Sequence, residues 1–133
     1  MRFTIDRIDH VVLNVRDVEL AAAWYQRVLG MEREEFGSDR RTALKFGGQK
    51  INLRPVSADP RAWVTGACDT PGAADLCFIT AVGPDDTIAH LRDLGVDITA
   101  GPVSRTGALG AMRSVYCRDP DGNLVEIASY LSG

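Results

Sequence analysis

The sequence is short of cysteine, of long apolar runs and of basic charge. Its three cysteines, Cys68, Cys77 and Cys117, are an odd number and lie far apart, so they predict neither a disulfide framework nor a structural zinc site. Residues 1–7 lack the apolar region of a signal peptide, and no run approaches the length of a membrane-spanning helix. The net charge of −3 argues against a dedicated nucleic-acid binder. We expect a soluble cytoplasmic protein that binds neither nucleic acid nor membrane.

What the sequence does contain is one order of elements that occurs twice within 133 residues of ordinary globular composition. The first copy has a strand at 5–15, a helix capped by Asp17 and ended by Gly30, and strands at 31–36, 41–47 and 49–55. The second copy has a strand at 74–81, a helix opened by Gly83-Pro84 and ended by Gly95, a strand near 96–99, a glycine-rich loop at 100–110, and strands at 111–118 and 123–130.

Two offsets relate the copies to each other. The Leu-Gly pairs that follow the helices, Leu29-Gly30 and Leu94-Gly95, are 65 residues apart, and the same offset relates His10 to Asp75. A regular offset of this kind is the sequence sign of an internal repeat, and repeats decide a fold.

The final strands of the copies extend the correspondence. An offset of 74 places Asn52 opposite Glu126, and the extra nine residues fit the longer loop at 100–110. We therefore predict an α+β fold of two βαβββ modules. The predicted modules are residues 5–55 and 73–131, joined by a polar connector at 56–72 within a single domain, 1–133.

Glu126 lies in the middle of an otherwise apolar strand, after the tight turn Asp119-Pro120-Asp121-Gly122, which predicts a three-residue hairpin loop with a bulge. A buried carboxylate needs a cation or a hydrogen-bond donor, so we interpret Glu126 as a metal ligand. The repeat makes His10, Asp75 and Asn52 its companions. One imidazole and two carboxylates suit a divalent first-row metal that keeps open positions for water or substrate.

Each of these residues also has a simpler interpretation. His10 could be a satisfied, half-buried histidine, and Asp75 could be a turn residue or an edge charge. Asn52 could only hydrogen-bond a bound water, and Glu126 could pair with Arg113 or Arg54 across the sheet. The four residues together are stronger evidence for a metal site than any one of them, because polar residues placed by chance would not fall at matching positions of the repeat.

Three arginines, Arg54, Arg105 and Arg113, are candidates for binding an anionic substrate, although arginines near strands are more often solvated.

The chain resembles the glyoxalase/bleomycin-resistance/extradiol-dioxygenase family, the vicinal oxygen chelate superfamily, and within it the small glyoxalase domain-containing proteins. The motifs that carry the resemblance cover most of the chain: Ile8-Asp9-His10-Val11-Val12-Leu13, Trp24-Tyr25, Leu29-Gly30-Met31, Asp75-Leu76-Cys77-Phe78-Ile79-Thr80, Gly101-Pro102-Val103, Arg105-Thr106-Gly107-Ala108, and Asp119-Pro120-Asp121-Gly122-Asn123-Leu124-Val125-Glu126-Ile127.

The resemblance implies a cupped mixed sheet around a divalent metal (nickel, zinc, cobalt, manganese or iron), commonly in a homodimer. It implies metal ligands at His10, Asp75, Glu126 and Asn52. Two positions depart from bacterial glyoxalase I, which has Glu where Asn52 stands and His where Asp75 stands. Extradiol dioxygenases need a second His that this chain does not supply.

Two functions follow as expectations. The first is a metal-dependent lyase or isomerase of glyoxalase I type, acting on a small vicinal-oxygen substrate such as a 2-oxoaldehyde–thiol adduct. Its general base would be Glu126 or a metal-bound hydroxide. The alternative is a non-catalytic protein of the bleomycin-resistance type that binds a drug or metabolite.

Overall fold

The computed structural model describes residues 1–131. The chain divides into two compact units, Met1–Pro71 and Gly72–Gly133, and the division falls at the end of the predicted connector. The predicted α+β class is confirmed, because each unit contains one helix and one four-stranded mixed sheet. That the two units act as a single domain stays a prediction.

The first unit contains five elements in the predicted order. They are β1 (His10–Val15), α1 (Val18–Leu29), β2 (Glu32–Phe36), β3 (Arg41–Phe46) and β4 (Gln49–Pro55). The sheet has the order β1-β4-β3-β2, with β1 parallel to β4 and the other pairs antiparallel.

The second unit repeats this arrangement. Its elements are β5 (Asp75–Ile79), α2 (Pro84–Asp93), β6 (Ala100–Gly107), β7 (Gly110–Arg118) and β8 (Leu124–Tyr130). The sheet order β5-β8-β7-β6 corresponds strand for strand to that of the first sheet. Again β5 is parallel to its neighbour β8, and the other pairs are antiparallel.

The register confirms that the two units are copies of one module. Val12 pairs with Asn52 across β1 and β4, and Cys77 pairs with Glu126 across β5 and β8. These pairs are related by the same offsets, 65 and 74, that the sequence shows for the polar residues. The equivalence of Asn52 with Glu126 therefore holds at the level of single strand positions.

The helix ends follow the local sequence signals. Asp17 caps α1, accepting a hydrogen bond from the backbone N–H of Leu20 at 3.0 Å, and Gly30 ends the helix in the left-handed conformation. Pro84 stands in the first turn of α2 after Gly83, as predicted.

The predicted start of the first strand is wrong. β1 begins at His10 rather than at residue 5, and Ile5 and Ile8 are exposed. β1 is an edge strand whose single neighbour, β4, begins at Gln49. Residues before His10 therefore have little partner backbone. Among residues 1–131, one backbone–backbone hydrogen bond joins the carbonyl of Asp9 to the N–H of Lys50, and the side chain of Gln49 donates to the Ile8 carbonyl at 2.9 Å.

The predicted strand at 96–99 and the loop at 100–110 are also wrong, because β6 occupies Ala100–Gly107. β6 is an edge strand, which tolerates a proline and glycines that a central strand would not. The register shifts between Ala100 and Val103, and this irregularity accommodates Pro102.

The turn before β8 agrees with the predicted three-residue loop. Inside the Arg118–Leu124 pair, the Asp119 N–H donates to the Asn123 carbonyl at 3.1 Å, which leaves residues 120–122 as the loop, with Gly122 at φ of +94°. The Asp119 carboxylate organises the turn by accepting hydrogen bonds from the backbone of Asp121 and Asn123 at 2.9 Å. The Asn123 side chain then accepts from the Ala74 N–H at 2.9 Å, which ties the turn to the start of β5.

Candidate functional site

In the first unit, His10 and Asn52 lie on the face of the sheet opposite the apolar core. On β1 and β4 they alternate with residues that are buried, such as Leu13, Ile51 and Leu53. Because side chains alternate along a strand, the imidazole and the amide project from the other face, and the register keeps them near each other.

The His10 ring is oriented by its neighbour in sequence. Its Nδ1 lies 2.9 Å from Oδ2 of Asp9, and the side chain is 44% exposed. This hydrogen bond lowers the pKa of Asp9, so the carboxylate is charged at neutral pH and accepts a hydrogen bond from the imidazole. The contact engages Nδ1 and leaves Nε2 as the ring nitrogen that can meet a ligand.

Asn52 carries an unpaired polar atom. The residue is only 7% exposed, and its Oδ1 has no hydrogen-bond partner among residues 1–131. Leaving a buried acceptor unpaired costs about 1–3 kcal/mol. A buried acceptor of this kind is available to a donor or a cation, and the role of Asn52 as a metal ligand stays a prediction.

In the second unit, Glu126 is half-buried on the equivalent position of β8. The hydroxyl of Ser114, on the neighbouring strand β7, donates to Oε2 of Glu126 at 2.6 Å. Ser114 is completely buried and Glu126 is half-buried, so this bond is partly shielded from water and orients the carboxylate. Among residues 1–131, Arg54 and Arg113 bond to other side chains and neither pairs with Glu126.

Cys77 lies on the other side of Glu126, in β5. Burial, followed by the charge of Glu126, its hydrogen bond to the thiol and the charge of Asp75, raises the pKa of Cys77 to about 11. The thiol is therefore protonated at neutral pH and acts as a weak donor rather than as a nucleophile. Asp75 is exposed at the first position of β5, two residues before Cys77 and hence on the same face.

Sequence reasoning missed the contribution of Ser114. A serine in a strand gives no signal by itself, and the contact with Glu126 is visible only from the antiparallel register, in which Ser114 faces Ala128 and Tyr116 faces Glu126. Ser114 is therefore a diagonal neighbour of Glu126 on one face of the sheet.

The three predicted substrate arginines have different surroundings. Arg54 is 1% exposed and donates to the Asn14 side chain at 2.8 Å and to two connector carbonyls, those of Trp63 and Ala58. These bonds hold the connector against the first sheet.

Arg105 and Arg113 lie on opposite faces of the second sheet. Arg105 is exposed and donates to the Tyr116 hydroxyl at 3.0 Å, on the face that carries Glu126. Arg113 is on the other face and donates to the Ser104 hydroxyl at 3.2 Å. Of the three, Arg105 has the surroundings most suited to meeting an anion near Glu126, and the substrate role of all three stays a prediction.

The polar residues fit a divalent metal by the chemistry of their donor atoms. Imidazole nitrogen, carboxylate oxygen and amide oxygen are the donors that first-row divalent ions accept in catalytic sites. The oriented Nε2 of His10 and the unpaired Oδ1 of Asn52 support this fit. Within residues 1–131, however, no three His, Cys, Asp or Glu side chains come together in a group that could hold a metal.

Comparison with protein families decides the family. Residues 7–127 match the model of the Glyoxalase/Bleomycin resistance protein/Dioxygenase superfamily. The chain belongs to this superfamily. Its members usually use a divalent metal and bind small molecules, which is consistent with the polar face that each unit presents.

Two relatives are similar over nearly the whole of this chain. Virulence protein STM3117 of Salmonella typhimurium is 45% identical over 133 residues, which cover 98% of this chain and 89% of that protein. Its crystal structure aligns with a TM-score of 0.91 over 97% of this chain and all of that one. Glyoxalase domain-containing protein RDO1 of Mycosarcoma maydis is 40% identical, over 97% of this chain and 71% of that protein.

A more distant solved structure shares the fold alone. The lactoylglutathione lyase of Agrobacterium tumefaciens is 24% identical, with a TM-score of 0.73 over 95% of each chain.

Among residues 1–131, no helix combines the length and the apolar character needed to cross a bilayer.

Proposed function

We propose that this chain is a metal-dependent lyase or isomerase of the glyoxalase I type. Its substrate would be a small vicinal-oxygen compound such as a 2-oxoaldehyde–thiol adduct. The observation that carries the proposal is the matched register of the two units, which gives Asn52 and Glu126 equivalent positions. Their partners on the neighbouring strands are Val12 and Cys77. His10 and Asp75 lie two positions before those partners in β1 and β5. A duplicated scaffold with polar donors at duplicated positions is what a shared ligand site would require.

His10, Glu126, Asp75 and Asn52 are the residues that would hold the ion. A divalent ion would supply Lewis-acid polarisation of the two substrate oxygens. His10 contributes Nε2, because Asp9 occupies its other nitrogen. Asn52 contributes the buried oxygen that has no protein partner.

Glu126 is the general base of the proposed reaction. Its carboxylate would take a proton from one carbon of the substrate and return it to the adjacent carbon. Ser114 holds one carboxylate oxygen in place, so the base has a fixed orientation towards the face of the sheet. The protonated Cys77 thiol does not compete as a nucleophile.

An isomerisation assay tests this proposal. Protein loaded separately with nickel, cobalt, manganese or zinc is given the hemithioacetal of methylglyoxal and a thiol, and the rate of thioester formation is measured. Glu126→Gln should lower the rate by about 100-fold or more, since it removes the base and keeps the shape. Glu32→Gln, an exposed residue of β2, is the matched control and should keep the rate. Absence of activity in the wild-type protein with all four metals would contradict the lyase proposal.

A second candidate is a binding protein that sequesters a drug or metabolite without catalysis. It is favoured by one observation, that no group of three metal-ligating side chains is found among residues 1–131. Elemental analysis after purification without chelators separates the candidates. The lyase predicts about one divalent ion per chain, whereas the binding protein predicts no stoichiometric metal.

The homodimer and the cytoplasmic location belong to the same proposal, since the family resemblance implies the first and the sequence the second. Analytical ultracentrifugation measures the association state directly.

A further inference from the structure

A second site is suggested by a pocket that lies entirely within the first unit. Its volume is about 270 Å³, and it is found where β3 begins, β4 ends and α1 begins. The lining residues are Val18, Asp39, Arg40, Arg41, Thr42, Leu53, Pro55 and Trp63. Along β4, Pro55 is five positions beyond Lys50, the partner of His10, which corresponds to about 16 Å of extended strand. This distance separates the pocket from His10. Leu53 directly follows Asn52 in β4, but its side chain points to the opposite face of the sheet, so Asn52 does not line the pocket.

The floor and one wall of this pocket are apolar and rigid. Leu53 is buried in β4, and Val18 and Pro55 complete an aliphatic surface. The Trp63 ring forms the wall, and it is held in place from both ends. The guanidinium of Arg41 stacks 4.0 Å from the ring centroid, and the Trp63 carbonyl accepts from the buried Arg54 at 3.2 Å.

The charges around the pocket leave one cation without a partner. Arg41 is engaged by Asp39 at 2.7 Å and by the Ala62 carbonyl at 3.3 Å. The hydrogen bond from Arg41 lowers the pKa of Asp39, so this pair is charged and mutually satisfied. Arg40 is exposed, and in the part of the chain that the structure describes its side chain forms no hydrogen bond or ion pair.

Arg40 also has the one left-handed backbone conformation among the described residues other than glycine, with φ of 53°. A long side chain in this region costs about 1 kcal/mol or more compared with glycine, and such residues are concentrated at ligand sites. The turn contains a glycine at Gly37, yet the strained position holds arginine. The strain and the unpaired charge are independent observations that point to the same residue.

We propose that this pocket binds a small carboxylate with a flat or branched apolar body. A single free guanidinium matches one negative charge and forms two parallel hydrogen bonds with a carboxylate. The aliphatic floor and the Trp63 ring take the apolar body. The volume is just below the range of about 300–1,000 Å³ that is typical of drug-sized ligands, so the ligand is of metabolite size. This site is independent of the lyase proposal.

The test follows the two indole N–H signals of the protein by NMR, using ¹⁵N-labelled wild-type protein freed of metals and chelators. Benzoate is the probe, and benzamide is its uncharged counterpart of the same shape. Benzoate should shift the Trp63 signal in a saturable way and leave the signal of Trp24, a core residue of α1, unchanged. Benzamide should bind at least about tenfold more weakly, because it lacks the charge.

Two variants of Arg40 sharpen the test. Arg40→Gln should weaken benzoate binding about tenfold. Arg40→Gly should weaken it as much while raising the melting temperature, because glycine relieves the left-handed strain. Arg61→Gln, an exposed connector residue paired with Asp59 and outside the pocket, should bind benzoate as the wild type does. No saturable shift of Trp63, equal affinity for benzamide, or undiminished binding in either Arg40 variant would overturn the proposal.

Discussion

At the scale of single residues, the candidate site depends on how two carboxylates and one amide are paired. Asp9 orients His10, Ser114 orients Glu126, and Asn52 keeps an unpaired oxygen. The sequence could predict His10 and Asn52 only as residues of interest, because a sequence does not show which atom of a side chain is already hydrogen-bonded. The partner of Glu126 was not predictable, since serine is common in strands and its register was unknown.

The bond between Ser114 and Glu126 makes a prediction for stability. Ser114→Ala removes a fully buried donor to a carboxylate and should lower the free energy of unfolding by about 1–3 kcal/mol. It should also reduce the rate of the proposed reaction, because the base loses its fixed orientation. Urea unfolding measures the first effect.

Ser104→Ala is the matched control for this variant. Ser104 is exposed on β6 and its hydroxyl accepts a bond from Arg113 at 3.2 Å, so its loss should change stability by less than about 0.5 kcal/mol. Equal effects of the two substitutions would contradict the role given to Ser114.

The raised pKa of Cys77 makes a prediction for thiol reactivity. A shift from 9.0 to about 11 favours the protonated form, so at pH 8 the thiolate fraction is about 100-fold smaller than for an ordinary thiol. Alkylation by iodoacetamide should therefore be slow at pH 8 and should accelerate as the pH approaches 11. Peptide mapping by mass spectrometry measures the rate at each cysteine.

Two comparisons within the same experiment check the cause. Cys68 and Cys77 are both exposed, and Cys68 should be alkylated well before Cys77 at pH 8, because the raised pKa keeps Cys77 protonated. Glu126→Gln should accelerate the reaction of Cys77, because it removes a neighbouring negative charge that disfavours the thiolate. Alkylation of Cys77 as fast as Cys68 in the wild type would show that the carboxylates do not protect it.

At the scale of elements, regular signals were predictable and edge elements were not. The capped helices and the central strands β4 and β8 follow from periodicity, caps and turns. β6 was not predictable, because its glycines and Pro102 are typical of a loop and only pairing with β7 makes it a strand. Arg54 was predicted as a candidate for binding substrate. Its hydrogen bonds to the connector were not predictable, because the connector has no periodic signal in the sequence.

The packing of β6 on β7 makes a prediction for Gly101. This glycine has φ of +105°, and a Cβ added to it would lie 2.5 Å from the Ser114 carbonyl oxygen and 3.0 Å from the Val115 Cα. Gly101→Ala must therefore shift backbone atoms beside the residue that holds Glu126. We expect a loss of more than about 2 kcal/mol in the free energy of unfolding.

Gly110 provides the control for this substitution, because it has φ of +133° and open space where a Cβ would lie. Gly110→Ala carries the conformational strain without the collision. Thermal denaturation should show the larger loss for Gly101→Ala, and equal losses would mean that the close approach to Ser114 contributes nothing.

At the scale of the whole molecule, the duplication was the part most fully predictable from sequence. Two offsets, carried by glycines and polar residues of the predicted elements, predicted the equivalence of Asn52 with Glu126, and the register agrees with them. The pocket beside Trp63 was not predictable, because it depends on how the connector folds against the end of the first sheet.

The central claim of the proposed function is that His10 and Glu126 are ligands of a divalent ion. Isothermal titration of metal-free protein with nickel, cobalt, manganese and zinc tests it most directly. The wild type should bind one ion per site, and His10→Ala and Glu126→Gln should each weaken binding by about 100-fold. His90→Ala, in α2, is the histidine control and should bind as the wild type does. Undiminished binding in either site variant, or no binding by the wild type, would contradict the claim.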